Sequence, residues 1–215
     1  GRLKGVFHRM IQTIDGLLPD TDYEIMLVRA NEASETVTFH TEPEPITLNV
    51  RDFGAFGDGV HDDTSAIQAA ILCCPKNARV LIPKGTYPVT ALFLKSDMIL
   101  ELQENAVLAG IYDRARTPIL PGQIEYDNED GYYNLGSWEG NPIDSFASMI
   151  TGIYVKNVTI CGKGVLDGRA DFENWWSRPK DKIRAWRPRM IFLNHCENIT
   201  VVGVTVQNSP AWNLH

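Results

Sequence analysis

The densest group of chemistry-bearing side chains lies between Arg178 and Arg189, where Arg178, Lys180, Lys182, Arg184, Arg187 and Arg189 are opposed only by Asp181. A planar guanidinium presents a fork of donors that matches a carboxylate with two parallel bonds, so such a run suits an acidic ligand. The plainer alternative is a solvated loop whose charges serve solubility. Asp62 and Asp63 are of the types used for general acid and base. They precede an apolar helical stripe, however, where carboxylates answer the first free amides and the helix dipole, and capping is the reading taken. Trp175 and Trp176 could stack on a sugar ring or close a core, with the core role favoured. His8, His40 and His61 have no Cys or His at ligand spacing. Cys73, Cys74, Cys161 and Cys196 form no C-x-x-C pair and read as buried thiols, so neither metal nor cofactor is expected.

The elements that must position these groups are almost all strands. Asn49 to Phe53 is β-prone and alternating, and Gly54, Gly57 and Gly59 supply a tight reversal. Asp63 or Thr64 is expected to accept a bond from the first helical turn. Ile67, Ala70, Ile71 and Cys74 then form one apolar helical stripe, which Pro75 ends. Beyond it, short apolar runs alternate with Gly, Asn, Asp and Lys. Two runs, Asn157 to Gly162 and Asn198 to Gly203, share the pattern Asn, β-branched, Thr, β-branched, any residue, Gly. Imperfect repetition of short strands predicts stacked coils. The Asn157-Val158-Thr159 and Asn198-Ile199-Thr200 triplets also match glycosylation sequons, but turn asparagines bonded to neighbouring backbone explain them more simply.

The segment DFGAFGDGVHDDTSAIQAAI, residues 52 to 71, resembles the first coil and capping helix of the pectate-lyase superfamily of right-handed parallel β-helices. A cap has a physical reason, because an uncovered coil exposes apolar core and unpaired strand edges. Gly162 to Trp176 and Arg187 to His215 resemble glycoside hydrolase family 28, the polygalacturonases, and the insertion from Asp113 to Ser148 resembles the bacterial exo-acting branch. The resemblance covers about residues 46 to 215.

It implies inverting hydrolysis of α-1,4 linkages in galacturonan or oligogalacturonides. One carboxylic acid protonates the leaving oxygen and a carboxylate base activates water, the two standing about 6.5 to 9.5 Å apart. The family's Asn-Thr-Asp, Asp-Asp, Gly-His-Gly and Arg-Ile-Lys motifs do not occur before His215, so the resemblance places the catalytic residues beyond the end of this sequence. No catalytic residue is assigned within it, and this stretch alone is expected to lack hydrolase activity. Trp212 and His215 are expected to border the cleft as a sugar platform and a hydrogen-bond donor, with core packing an even alternative for Trp212. Arg184 and Arg187 are the candidate ligands for substrate carboxylates. The insertion carrying Glu125, Tyr126, Tyr132, Tyr133 and Trp138 is expected to wall off one end of the cleft and make the enzyme exo-acting. The rivals are a calcium-dependent, β-eliminating pectate lyase and a non-catalytic carbohydrate-binding β-helix.

Residues 1–42 have a different origin. Leu18, Pro19, Thr21 and Tyr23 form a tyrosine-corner pattern, and Leu17 to Thr41 resembles the last strands of a fibronectin type III sandwich. The chain is therefore expected to begin inside that domain, with residues 43–46 a proline-containing linker and residues 47–215 the β-helix. The predicted fold class is all-β. A formal net charge of −7 argues against a nucleic-acid partner, and a polyanionic sugar then requires a locally basic site. No apolar run approaches the roughly 20 residues that span a bilayer, so no membrane partner is expected. The substrate favours a secreted or periplasmic protein over one acting in the cytoplasm on imported oligogalacturonides. Nothing in the sequence speaks to oligomeric state.

Overall fold

The computed structural model describes residues 5, 14, 16–29, 32–123 and 135–215, in two compact units, residues 1–45 and 46–215. His8, Glu125, Tyr126, Tyr132 and Tyr133 lie outside the described residues. In the first unit β1 (Asp22–Arg29) pairs antiparallel with β2 (Glu32–His40). Tyr23 faces Phe39 with ring centroids 5.7 Å apart, and its hydroxyl accepts the Leu18 amide at 2.7 Å, five residues upstream. His40 lies between Asp22 at 2.8 Å and Asp20 at 3.1 Å. Those two bonds, Asp22 first, raise the pKa of its imidazole above the ordinary value.

The second unit is a right-handed parallel β-helix. After β3 (Thr47–Asn49) come α1 (Thr64–Cys73), β4 (Ala78–Ile82), β5 (Gly85–Val89), β6 (Leu92–Phe93), β7 (Met98–Leu102) and β8 (Ala106–Gly110). The short pair β9 (Ile119–Leu120) and β10 (Ser145–Phe146) interrupts the winding. It resumes with β11 (Ile150–Ile153), β12 (Lys156–Gly162), β13 (Val165–Asp167), β14 (Ile191–Asn194), β15 (Glu197–Val201) and β16 (Thr205–Gln207). The three complete coils each send one strand to each of three parallel sheets, ordered β3-β4-β7-β12-β15, β5-β8-β13-β16 and β6-β11-β14, with β3 opening the stack and β15 and β16 ending it. In-register pairing stacks like on like: Val80 lies beside Leu100, and Leu100 beside Ile160, all fully buried. Period-2 alternation thus builds one continuous apolar column.

The repeated Asn-to-Gly pattern is explained at both ends. Asp97, Asn157 and Asn198 turn the chain with φ of 60°, 55° and 53°, a conformation that Asn and Asp tolerate best after Gly. The side-chain amide of Asn198 donates to Asn157 Oδ1 at 2.9 Å, and that of Asn157 to Asp97 Oδ1 at 2.8 Å. The expectation of bonds to neighbouring backbone is corrected here: the partners are side chains one coil away. Gly162, at φ +104°, ends the pattern because a Cβ would overlap the Leu102 carbonyl oxygen of the preceding coil.

The cap forms as its stripe predicts, with Ile67, Ala70, Ile71 and Cys74 all buried. Three local expectations change. The strand stops at Asn49, whose side chain accepts the Arg51 amide at 3.0 Å and starts a short 3-10 turn over Val50–Phe53. Asp63 makes no capping bond; its buried carboxylate instead accepts the Phe56 and Gly57 amides at 2.6 and 3.0 Å and pins the glycine loop. Asp62 does the capping, accepting the Thr64 amide at 2.9 Å. Both acids are thus engaged structurally. Gln68 reaches down to β6, donating to Phe93 O at 2.9 Å and accepting Phe93 N at 2.7 Å. It covers the edge strand of that sheet as a neighbouring strand would. All four cysteines are free, but the expectation that all are buried holds for Cys74 alone: Cys161 and Cys196 are half-buried, and Cys73 is exposed because it points off the helix away from the stripe.

Candidate functional site

Two long loops, residues 111–149 and 168–190, leave the β-helix at the same corner, between the second and third sheets. They are stitched together: Phe146 N donates to Trp186 O at 2.8 Å, and Trp186 N to Asp144 O at 3.0 Å. Asp144 also receives the Gly122 amide, the main reason its carboxyl titrates below the usual range, and the Lys182 ammonium. Below this seam the segment ending at His215 runs alongside β14, with Leu193 N donating to His215 O at 2.8 Å and His215 N to Ile191 O at 3.0 Å.

The three segments bring an aromatic and cationic cluster together. Trp138 stacks on Trp186 with centroids 4.8 Å apart and tilts against Trp212 at 4.9 Å. Trp212 lies 5.3 Å from the His215 ring, which lies 5.6 Å from Phe192. The Arg187 guanidinium sits 4.1 Å from the centroid of Trp176 and 5.5 Å from that of Trp138. Arg189 is only 1 % exposed and lies 5.1, 5.3 and 5.5 Å from the centroids of Trp138, Trp212 and Phe192. Such cation–π contacts offset part of the desolvation of a buried guanidinium, each contributing about 0.5 to 2 kcal/mol.

The basic run therefore divides. Arg178, Lys180, Lys182 and Arg184 are exposed, as a solvated loop requires, with Arg178 3.7 Å from Asp181 and Lys182 3.5 Å from Asp144. Arg184 donates to the Arg114 carbonyl, and no contact joins it to Trp212 or His215 among the described residues. Arg187 and Arg189 are buried instead. Arg187 donates to Pro210 O and Arg189 to Ser137 O, while the Nε of each is buried without a partner. Burial pushes the Arg189 pKa down to about 10 and that of Arg187 in the same direction, so both remain charged near neutrality. Partial burial of its ring, then the nearby Arg189 charge, holds the His215 pKa below the ordinary imidazole value.

The structure thus unites Arg187, Trp212 and His215 and leaves Arg184 outside. Trp212 is 41 % exposed and His215 is exposed, so this pair forms the open side of the cluster. Trp175 is buried against Phe146 at 5.5 Å, and the Trp176 indole donates to Ser209 O at 3.0 Å. Both tryptophans pack as structural residues. Trp186 and Phe192 are members that sequence reasoning did not select, while Arg189 was named within the basic run and Trp138 within the insertion. The available signal was the Arg-Pro-Arg step directly before the buried Met190-Ile191-Phe192 run. Among the described residues no group of three or more His, Cys, Asp or Glu could hold a metal ion.

The rhamnogalacturonase A/epimerase, pectate lyase-like family matches residues 47–209, nearly the whole second unit. The chain belongs to that family. It is 36 % identical to an exo-poly-alpha-D-galacturonosidase of Dickeya chrysanthemi over 95 % of its own length and 34 % of the relative's. Among solved structures, the family 28 exopolygalacturonase of Yersinia enterocolitica superposes with a TM-score of 0.70 at 29 % identity, over 92 % of this chain and 42 % of that one. The exopolygalacturonase of Thermotoga maritima gives a TM-score of 0.63 at 25 % identity, over 80 % and 46 % of the two chains. The chain spans about a third of the length of that curated relative, and the family match ends at residue 209, before Trp212 and His215.

Proposed function

We propose that this chain is the N-terminal part of the β-helix of an exo-acting galacturonan hydrolase. The observation that carries the reading is the corner cluster. Two loops and the segment before His215 converge to offer an exposed indole, an exposed imidazole and buried guanidinium groups on one side of the solenoid. That combination suits an acidic sugar: the indole packs on a ring face, the imidazole donates to or accepts from a hydroxyl, and the cations attract the carboxylate. Trp212, His215 and Arg187 border the substrate, and Arg184 contributes charge from the rim. The similarity to exo-acting relatives at up to 36 % identity supports the same reading.

In this account cleavage is inverting, with an acid and a base supplied by coils that follow His215 in the whole protein. The loop between β9 and β10, through Trp138, closes one end of the cleft. Within residues 1–42, β1 and β2 are the last strands of a fibronectin type III-like sandwich, a reading supported by the Tyr23 hydroxyl bonded to upstream backbone, and residues 43–46 link it to the β-helix. The test is a digest of polygalacturonate by the whole protein with products sized. Saturated products of one short length from the earliest times are expected. A broad ladder of lengths, or unsaturated products of elimination, would overturn the assignment.

A further inference from the structure

The buried cations hold a feature that the reading above does not use. Arg189 lies at the floor of the cluster, with three aromatic rings around its guanidinium. Only its Nη2 finds an acceptor among the described residues, the Ser137 carbonyl; its Nε has none. Among the described residues no carboxylate ion-pairs with it, and its pKa responds to burial alone. A carbonyl leaves the formal charge uncompensated, and a buried cation without a counter-charge is strongly disfavoured unless something supplies one. The edge formed by Nε and Nη2 is the edge of a guanidinium that takes a planar anion through two parallel bonds. The guanidinium lies 5.3 Å from the ring centroid of the exposed Trp212, so a ligand reaches it only if that indole moves aside.

We propose that Arg189 is the carboxylate-recognition residue of this site, taking the C6 carboxylate of one uronic acid unit while Trp212 carries that unit's ring. The inference rests on the galacturonan reading for the identity of the sugar, but the carboxylate requirement follows from the unpaired guanidinium. It assigns to Arg189 the specificity role expected from sequence reasoning at Arg184 and Arg187. A neutral hexose offers nothing to the Nε donor, so the site discriminates acidic from neutral sugars through the bonds left unmade.

The experiment is an NMR titration of the whole protein following the Arg189 Nε–H signal, with sodium galacturonate and with galactose as probes. A saturable shift with galacturonate and none with galactose is expected. Arg189→Lys, which keeps the charge and removes the fork, should weaken galacturonate binding about tenfold or more with the fold intact by amide spectrum. Binding unchanged within about twofold in that variant overturns the inference, as does the absence of any Arg189 shift in the parent chain. Two combined outcomes separate this idea from the wider one. A galacturonate shift at Arg189 in a whole protein that leaves polygalacturonate uncut supports the carboxylate site and rejects the hydrolase. Polygalacturonate cleavage with no response at Arg189 rejects the site and keeps the hydrolase.

Discussion

At the scale of single residues, burial decides what a side chain can do, and burial was the property least legible in the sequence. Six basic residues crowd one short run, yet only Arg187 and Arg189 are taken out of solvent. What buries Arg189 is Trp138 and Ser137, some fifty positions upstream, a contact created by loop packing that local composition cannot encode. Trp212 and His215 were legible because the segment resembling a family motif names them. Gly162 was legible only as the end of a repeat, and its reason, the neighbouring coil's Leu102 carbonyl, is tertiary. Gly162→Ala should cost at least about 2 kcal/mol, measured by urea unfolding, since it combines a strained φ with a backbone clash. An unchanged midpoint would contradict the packing described. Arg189→Met should raise the His215 pKa part of the way to its ordinary value, because the nearby cation is removed while burial remains. A ring titration that moves down, or not at all, would contradict the proximity assigned to the two groups.

At the scale of elements, α1 was read correctly from its stripe because helical periodicity is a local signal. Its cap was not, since Asp63 turns away to hold the Phe56 and Gly57 amides and Asp62 takes over the capping bond. Both residues satisfy the composition rule, and only the loop's path selects between them. Gln68 is invisible to a stripe analysis because its partner is the edge strand β6. Gln68→Ala should therefore destabilise the chain by about 1 to 3 kcal/mol through two lost bonds at a covered edge, read as a lowered unfolding midpoint. In the first unit, the stability that His40 draws from Asp22 and Asp20 is fully present below the ordinary imidazole pKa. It is lost as pH rises through the raised native value. Asp22→Asn should lower the His40 titration midpoint more than Asp20→Asn does, because the Asp22 bond is the larger cause. The reverse order would contradict the hairpin geometry.

At the scale of the molecule, stacked coils set strands in register and leave function to whatever interrupts them. Two interruptions at one corner, residues 111–149 and 168–190, place every member of the cluster except Phe192, Trp212 and His215, which come from the coil itself and the segment alongside it. Solenoid architecture was readable from short repeated runs, whereas the meeting of the two loops was not, because each returns to its own coil and their contact is set by the corner they share. Removing the segment between β9 and β10 from the whole protein should open the cleft and yield products of mixed length. An unchanged product pattern would reject its role as an end wall.

The most direct test of the account follows viscosity and reducing ends together while the whole protein acts on polygalacturonate. An exo-acting hydrolase of the kind proposed releases many reducing ends while viscosity barely falls. A steep early loss of viscosity per end released, or no release of reducing ends, would contradict it.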